Sequence, residues 1–169
     1  MKIVNIVCSG SFNQNVKLSS LFSLDSTIFQ YDPEMHHAAY LTINKRKIIF
    51  YPTGKYIFTG LKNFDEISSQ FDEMKLILKP FLTVDQFNIP IVQNIVLTTQ
   101  IPRLIILADL IKRDNDSCLQ YNPTKFPAVI FRTNHGTALI FSNGKIVITG
   151  IKSIKAAETI KQEIAERLK

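Results

Sequence analysis

Two Gly-Lys pairs, Gly54-Lys55 and Gly144-Lys145, come nearest to a phosphate-binding loop in this chain. That loop needs a glycine five residues upstream and a Ser or Thr after the lysine; here Ile49 and Leu139 stand upstream, and Tyr56 and Ile146 follow. The adjacent His36 and His37 have no Cys or carboxylate constellation at metal-ligand spacing. Cys8 and Cys118 form neither a close pair nor a zinc-type spacing, so no disulfide framework and no metal is expected. No nucleophile, base and orienting acid fall into a recognisable arrangement. The reading is a non-enzyme without cofactor, in which the informative side chains bind rather than react.

Those side chains are written twice. Tyr31, Pro33, Gly54, Thr59 and Gly60 each return 90 positions later as Tyr121, Pro123, Gly144, Thr149 and Gly150. Asn5, in "VNIVCS", returns 89 positions later as Asn94, in "QNIVLT". A two-fold internal repeat decides architecture before local detail does. The expected division is residues 1–87 and 88–169, joined in one compact body, since 169 residues with 46% apolar content hold a real core but not two large domains.

Each half begins with a β-branched strand, "KIVNIVCS" or "IVQNIVLTT", followed by a short helical stretch: "KLSSLFSL" from Lys17, and "IPRLIILADLIKR" from Ile101 with Pro102 suited to its first turn. Three strands are expected next, near 38–43, 47–51 and 55–59, copied at 128–132, 138–141 and 145–149. Lys45, Arg46 and Lys47 read as a turn rather than a nuclear-type basic cluster. Asn143-Gly144 reads as a two-residue hairpin turn with positive φ at both positions, and Thr53-Gly54 as its partner. A long amphipathic helix closes each half, through Phe64, Ile67, Phe71, Met74 and Leu78 before Pro80, and through Ile154, Ala157, Ile160, Ile164 and Leu168; Asn63 and Ser153 stand as N-caps. The fold class is α+β, an antiparallel sheet with helices on one face.

Alternation along the last strand puts Lys145, Val147 and Thr149 on one side and Ile146 and Ile148 on the other, with Leu139 and Phe141 joining the first set and Ile140 the second. Both sides are largely apolar, and helices cover one. The remainder is a binding surface, a homodimer interface or a sheet covered on both sides. The formal charge of +6 favours an acidic partner. It is unevenly placed: residues 1–87 hold 9 Lys/Arg against 8 Asp/Glu, and residues 88–169 hold 11 against 6. The opening apolar run breaks at Ser9 and Gly10, too short for a signal-peptide core, and no window approaches a membrane span; an intracellular, reducing setting and no membrane partner are expected.

The stretch "YNPTKFPAVIFRTNHGTALIFSNGKIVITGIKS", with "QNIV" before it and "NIV", "YDP", "TGK" and "FTGLK" in the first half, resembles the TATA-box-binding protein family over nearly the whole chain. The resemblance implies two pseudo-symmetric repeats forming a curved antiparallel sheet, a saddle with helices on its convex face. It implies a general transcription initiation factor that binds and bends A·T-rich promoter DNA through the minor groove and nucleates preinitiation complex assembly. Val7, Ile49, Ile57 and Thr59, with Val96, Leu139, Val147 and Thr149, match the family's contact positions. Asn5 and Asn94 fall at its central asparagines, whose amides can donate to A N3 and T O2; bridging between strands is the other reading of each. Phe126 and Phe141 match its intercalating pair, and Lys55, Lys125, Arg132 and Lys145 are placed for phosphates. Implied partners are double-stranded promoter DNA, a transcription factor B-like protein and the RNA polymerase machinery. Self-association of the DNA-free protein stays open, and the location implied is nuclear in a eukaryote or cytoplasmic in an archaeon.

The first half departs from that pattern. Phe126 corresponds to His36, Phe141 to Tyr51, Lys125 to Met35 and Arg132 to Thr42, leaving Lys55 as the retained cation. The expectation is a lopsided saddle whose second half grips and kinks DNA. Where the family carries acidic residues before its second-half Phe, Asn122, Thr124 and Lys125 stand here. An acidic helical set, Asp65, Glu66, Asp72 and Glu73, offers a protein-binding face or merely solvates its helix. The alternative function is an interaction module with weak or no TATA specificity.

Overall fold

A computed structural model describes residues 1–23, 25–44, 46–83, 86–112 and 118–168. Contacts divide the chain into two compact units, residues 5–93 and residues 94–169 together with 1–4. In the first, strands β1 (Lys2–Ser11), β2 (Phe29–Gln30), β3 (Ala39–Ile43), β4 (Arg46–Phe50) and β5 (Lys55–Leu61) lie in the order β2-β3-β4-β5-β1, every pairing antiparallel. Helices α1 (Leu18–Phe22) and α2 (Asp65–Leu78) accompany them. The second unit repeats the plan: β6 (Ile91–Gln100), α3 (Leu107–Lys112), β7 (Leu119–Gln120), β8 (Ala128–Thr133), β9 (Gly136–Phe141), β10 (Lys145–Ile151) and α4 (Ile154–Arg167), with strand order β6-β10-β9-β8-β7.

Strand alternation decides which side chains the helices cover. In the second unit Ile146 and Ile148 of β10, Ala138 and Ile140 of β9, and Phe131 of β8 are buried with Ala157, Ile160 and Ile164 of α4. In the first the same layer is aromatic. Phe50, Tyr56 and Phe58 stand where the second has Ile140, Ile146 and Ile148, and Phe12 packs against Tyr56 at 5.0 Å and Phe87 at 4.4 Å between ring centroids. Each such burial contributes roughly 1.5–3 kcal/mol.

Local chemistry sets the ends of the long helices. The Ser153 hydroxyl accepts from the Ala156 N–H at 3.3 Å at the start of α4. At the start of α2 the Asn63 Oδ1 accepts from the Glu66 N–H at 3.0 Å, while the Glu66 carboxylate accepts from the Lys62 N–H at 2.7 Å, a reciprocal pair of the capping-box kind. α2 stops at Leu78, two residues before Pro80.

Three expectations need correction, and one feature was not expected. Arg46 and Lys47 do not form a turn; they lie in β4, paired with Ile43 and Thr42, while Lys45 lies outside the described residues. The helix expected from Pro102 begins at Leu107. Residues 101–106 spend their amides elsewhere: Ile101 donates to the Gly144 carbonyl at 2.9 Å and Ile105 to the Ser142 carbonyl at 2.8 Å, latching the segment to the β9–β10 turn. That turn has three residues, and Gly144 alone has positive φ, at 80°. The Gly144 N–H reaches the Phe141 carbonyl at 3.0 Å, so a β-turn is closed by a left-handed glycine. Finally, the two-residue edge strands β2 and β7 carry no periodicity and went unforeseen.

Candidate nucleic-acid interface

Opposite the helices, each sheet presents the alternate side chains. Cross-strand partners line up as Ile130–Leu139–Val147–Thr98 in the second unit and Tyr40–Ile49–Ile57–Ser9 in the first, all half-buried. Val7, Thr59, Val96 and Thr149 extend the same faces and are also half-buried. Both faces are therefore apolar with interspersed hydroxyls, and the within-unit helices pack on the other side. Sequence reasoning missed Tyr40, Ile130, Ser9 and Thr98; alternation would have found Ser9 and Thr98, two residues beyond Val7 and Val96, whereas Tyr40 and Ile130 follow from the pairing register with Ile49 and Leu139.

Asn5 and Asn94 occupy the irregular point of each sheet. Register shifts between Ile6 and Cys8 on β1, and between Ile148 and Ile151 on β10. There the Asn5 Oδ1 accepts from the Gly60 N–H and the Asn94 Oδ1 from the Gly150 N–H, each at 2.8 Å. Gly60 and Gly150 have φ of 87° and 75°, the left-handed region that a bulge assigns to glycine. Strand bridging is thus real, and it has a consequence for recognition. Only the amide oxygen can accept, so the bond fixes which way each amide points and leaves both Nδ2 groups without a partner among the described residues.

The rings sit at the ends of these faces. Phe126 and Phe141 meet edge to face at 6.3 Å, with Phe126 still 38% exposed. Its position is set by a tight turn in which the Asn122 carbonyl accepts from the Lys125 N–H at 3.0 Å and the Phe126 N–H at 2.9 Å. The first unit builds the same turn on Asp32, whose carbonyl accepts from the His36 N–H at 2.9 Å. There, His36 turns edge-on to Tyr40 at 6.0 Å. Tyr51, half-buried, lines with Lys55, Ile57, Ser9 and Ile89 a groove of about 1060 Å³.

Lys55, Lys125, Arg132 and Lys145 are exposed and make no ion pair among the described residues. No group of three metal-ligating side chains occurs among those residues either. An apolar face with amide donors and cations that have no partner among the described residues suits a surface of hydrogen-bond acceptors edged by phosphates.

A family model described as "Transcription factor TFIID (or TATA-binding protein, TBP)" matches residues 1–81 and again residues 89–169. The chain belongs to this family. Among TATA-binding-protein relatives, "TATA-box-binding protein C" of Halobacterium salinarum is 30% identical over 94% of this chain and 92% of its own length. The "TATA-box-binding protein" of Pyrobaculum aerophilum is 28% identical over 99% of this chain and 85% of its own. Among solved structures, Methanococcus jannaschii TBP matches with a TM-score of 0.82 and 25% identity, covering 99% of this chain and 97% of that one. The expected α+β fold of two antiparallel repeats is the TATA-binding-protein fold.

Proposed function

We propose that this chain is a general transcription initiation factor that binds A·T-rich promoter DNA in the minor groove with the outer face of each repeat. The observation that carries this lies at Asn5 and Asn94: on apolar faces, each amide oxygen is engaged by the Gly60 or Gly150 N–H, and each Nδ2 donor has no partner among the described residues. An A·T minor groove displays acceptors alone, so donors on an otherwise apolar surface are complementary to it. Val7, Ile49, Ile57, Thr59, Val96, Leu139, Val147 and Thr149 would lie against sugars and base edges. Lys55, Lys125, Arg132 and Lys145 would meet phosphates, with Tyr51 at the first-repeat rim. Phe126 and Phe141 form an apolar wedge of the kind that unstacks a base step, a mode of which this family is itself a type case.

The protein partners follow at one remove: a transcription factor B-like protein and the polymerase machinery. With Asn122, Thr124 and Lys125 in place of acidic residues, the second-repeat turn is the less suited to a basic partner. A second reading, an interaction module that no longer prefers TATA sequences, draws on His36 and Tyr51 at the wedge positions of the first repeat.

Fluorescence anisotropy with A·T-rich and base-scrambled duplexes at stated moderate salt separates the two. Promoter binding requires the A·T-rich duplex to bind at least tenfold tighter; equal affinities leave the interaction module.

A further inference from the structure

We propose that the two repeats do different work on DNA, so that the second drives a wedge into the stack and the first grips without unstacking, giving a one-sided bend. This rests on the minor-groove reading above. The two repeats hold their end residues on matching backbones. Phe126 and His36 each follow a turn closed onto an Asn or Asp carbonyl at 2.9 Å, and Phe141 and Tyr51 each accept through their carbonyls from the following glycine, at 3.0 and 2.9 Å. What differs is what the backbones carry.

In the second repeat two apolar rings pack edge to face at 6.3 Å, Phe126 exposed and Phe141 half-buried. Moving them between bases sacrifices no hydrogen bond. In the first repeat a polar imidazole leans on Tyr40, and the Tyr51 hydroxyl has no protein partner among the described residues. Both polar groups must give up water on entering a base stack, where no partner replaces it. That desolvation adds to the cost of unstacking instead of offsetting it. The cationic anchors follow the same division. Lys125 becomes Met35, which is 70% exposed, and Arg132 becomes Thr42, whose cross-strand neighbour is the exposed Lys47, so the first repeat keeps a cation for grip while losing the one next to the ring at its turn.

The test is the bend of an A·T-rich duplex labelled at its two ends, read by energy transfer, with anisotropy reporting binding separately. Phe126→Ala with Phe141→Ala should remove more than half of the bend, while His36→Ala with Tyr51→Ala should leave it within error. His36→Phe with Tyr51→Phe should increase it. Equal losses from the two alanine doubles, or no increase from the phenylalanine double, overturn the proposal. If anisotropy shows no binding of the unsubstituted protein to any duplex, the minor-groove reading falls and takes this with it; binding with two equal kinks defeats the asymmetry alone.

Discussion

At Asn5 and Asn94 the amide oxygen serves structure, and the proposed minor-groove reading gives recognition to the nitrogen. Substitution can separate these duties. Asn94→Asp keeps an acceptor for the Gly150 N–H but replaces the Nδ2 donor with an anionic oxygen, which groove acceptors would repel. Thermal unfolding of Asn94→Asp should stay close to that of the parent while duplex affinity falls at least tenfold; Asn94→Ala should lose both, since the Gly150 amide is then unpartnered. Equal affinity for Asn94→Asp and the parent would remove the donor role. The asparagines were legible as a repeated pair, but the orientation of their amides was not, because it depends on a bulge that brings Gly60 or Gly150 opposite. Cys8 shows the opposite case, a reactive side chain made inert. Burial pushes its thiol from 9.0 up to about 11, and raises the Tyr56 phenol as well. The folded state therefore holds those protons at pH values where the unfolded chain has released them, so stability should fall as pH rises from about 9 toward 11. Denaturant midpoints across that range check it, and Cys8→Ala should flatten the early part of the slope.

The long helices show what an internal repeat makes visible and what it conceals. Gln70 of α2 stands where α4 has Ile160; both are buried, and neither the Oε1 nor the Nε2 of Gln70 has a hydrogen-bond partner among the described residues. A buried amide without partners costs about 1–3 kcal/mol. Gln70→Leu should accordingly raise the melting temperature by roughly 2–12 °C, at about 2–4 °C per kcal/mol for a chain of this size, as read by calorimetry. A lower melting temperature would mean that the amide is satisfied in solution. Apolar periodicity and caps made α2 and α4 readable, and the 90-residue offset identified most strands. The misplaced start of α3 arose because apolar spacing from Ile101 imitates a helix, whereas the carbonyls of Ser142 and Gly144, distant in sequence, claim the amides of Ile101 and Ile105. β2 and β7 escaped for the reason that two residues cannot show a period. The apolar outer faces were readable as a surplus, since alternation predicted more apolar surface than one layer of helices covers.

On the scale of the whole molecule, charge offers a test that needs no view of the bend. Binding to duplex DNA releases about 0.9 counterions per phosphate neutralised, which appears as the slope of log affinity against log salt. Four candidate phosphate cations, Lys55, Lys125, Arg132 and Lys145, then predict a slope of about −3.6. Three of the four belong to the second repeat, matching the excess of 11 Lys/Arg over 6 Asp/Glu in residues 88–169. Replacing Lys125, Arg132 and Lys145 together by Gln should shrink the slope by about 2.7, and replacing Lys55 alone by about 0.9. These cations are exposed and make no ion pair among the described residues, so the substitutions should leave folding intact and act on affinity equally for A·T-rich and scrambled duplexes. Amide and apolar contacts behave in the opposite sense: their loss should reduce the preference for A·T-rich DNA and leave the slope where it was. An unchanged slope after the triple replacement would mean that the second repeat meets no phosphates, and the functional assignment of its basic rim would have to be given up.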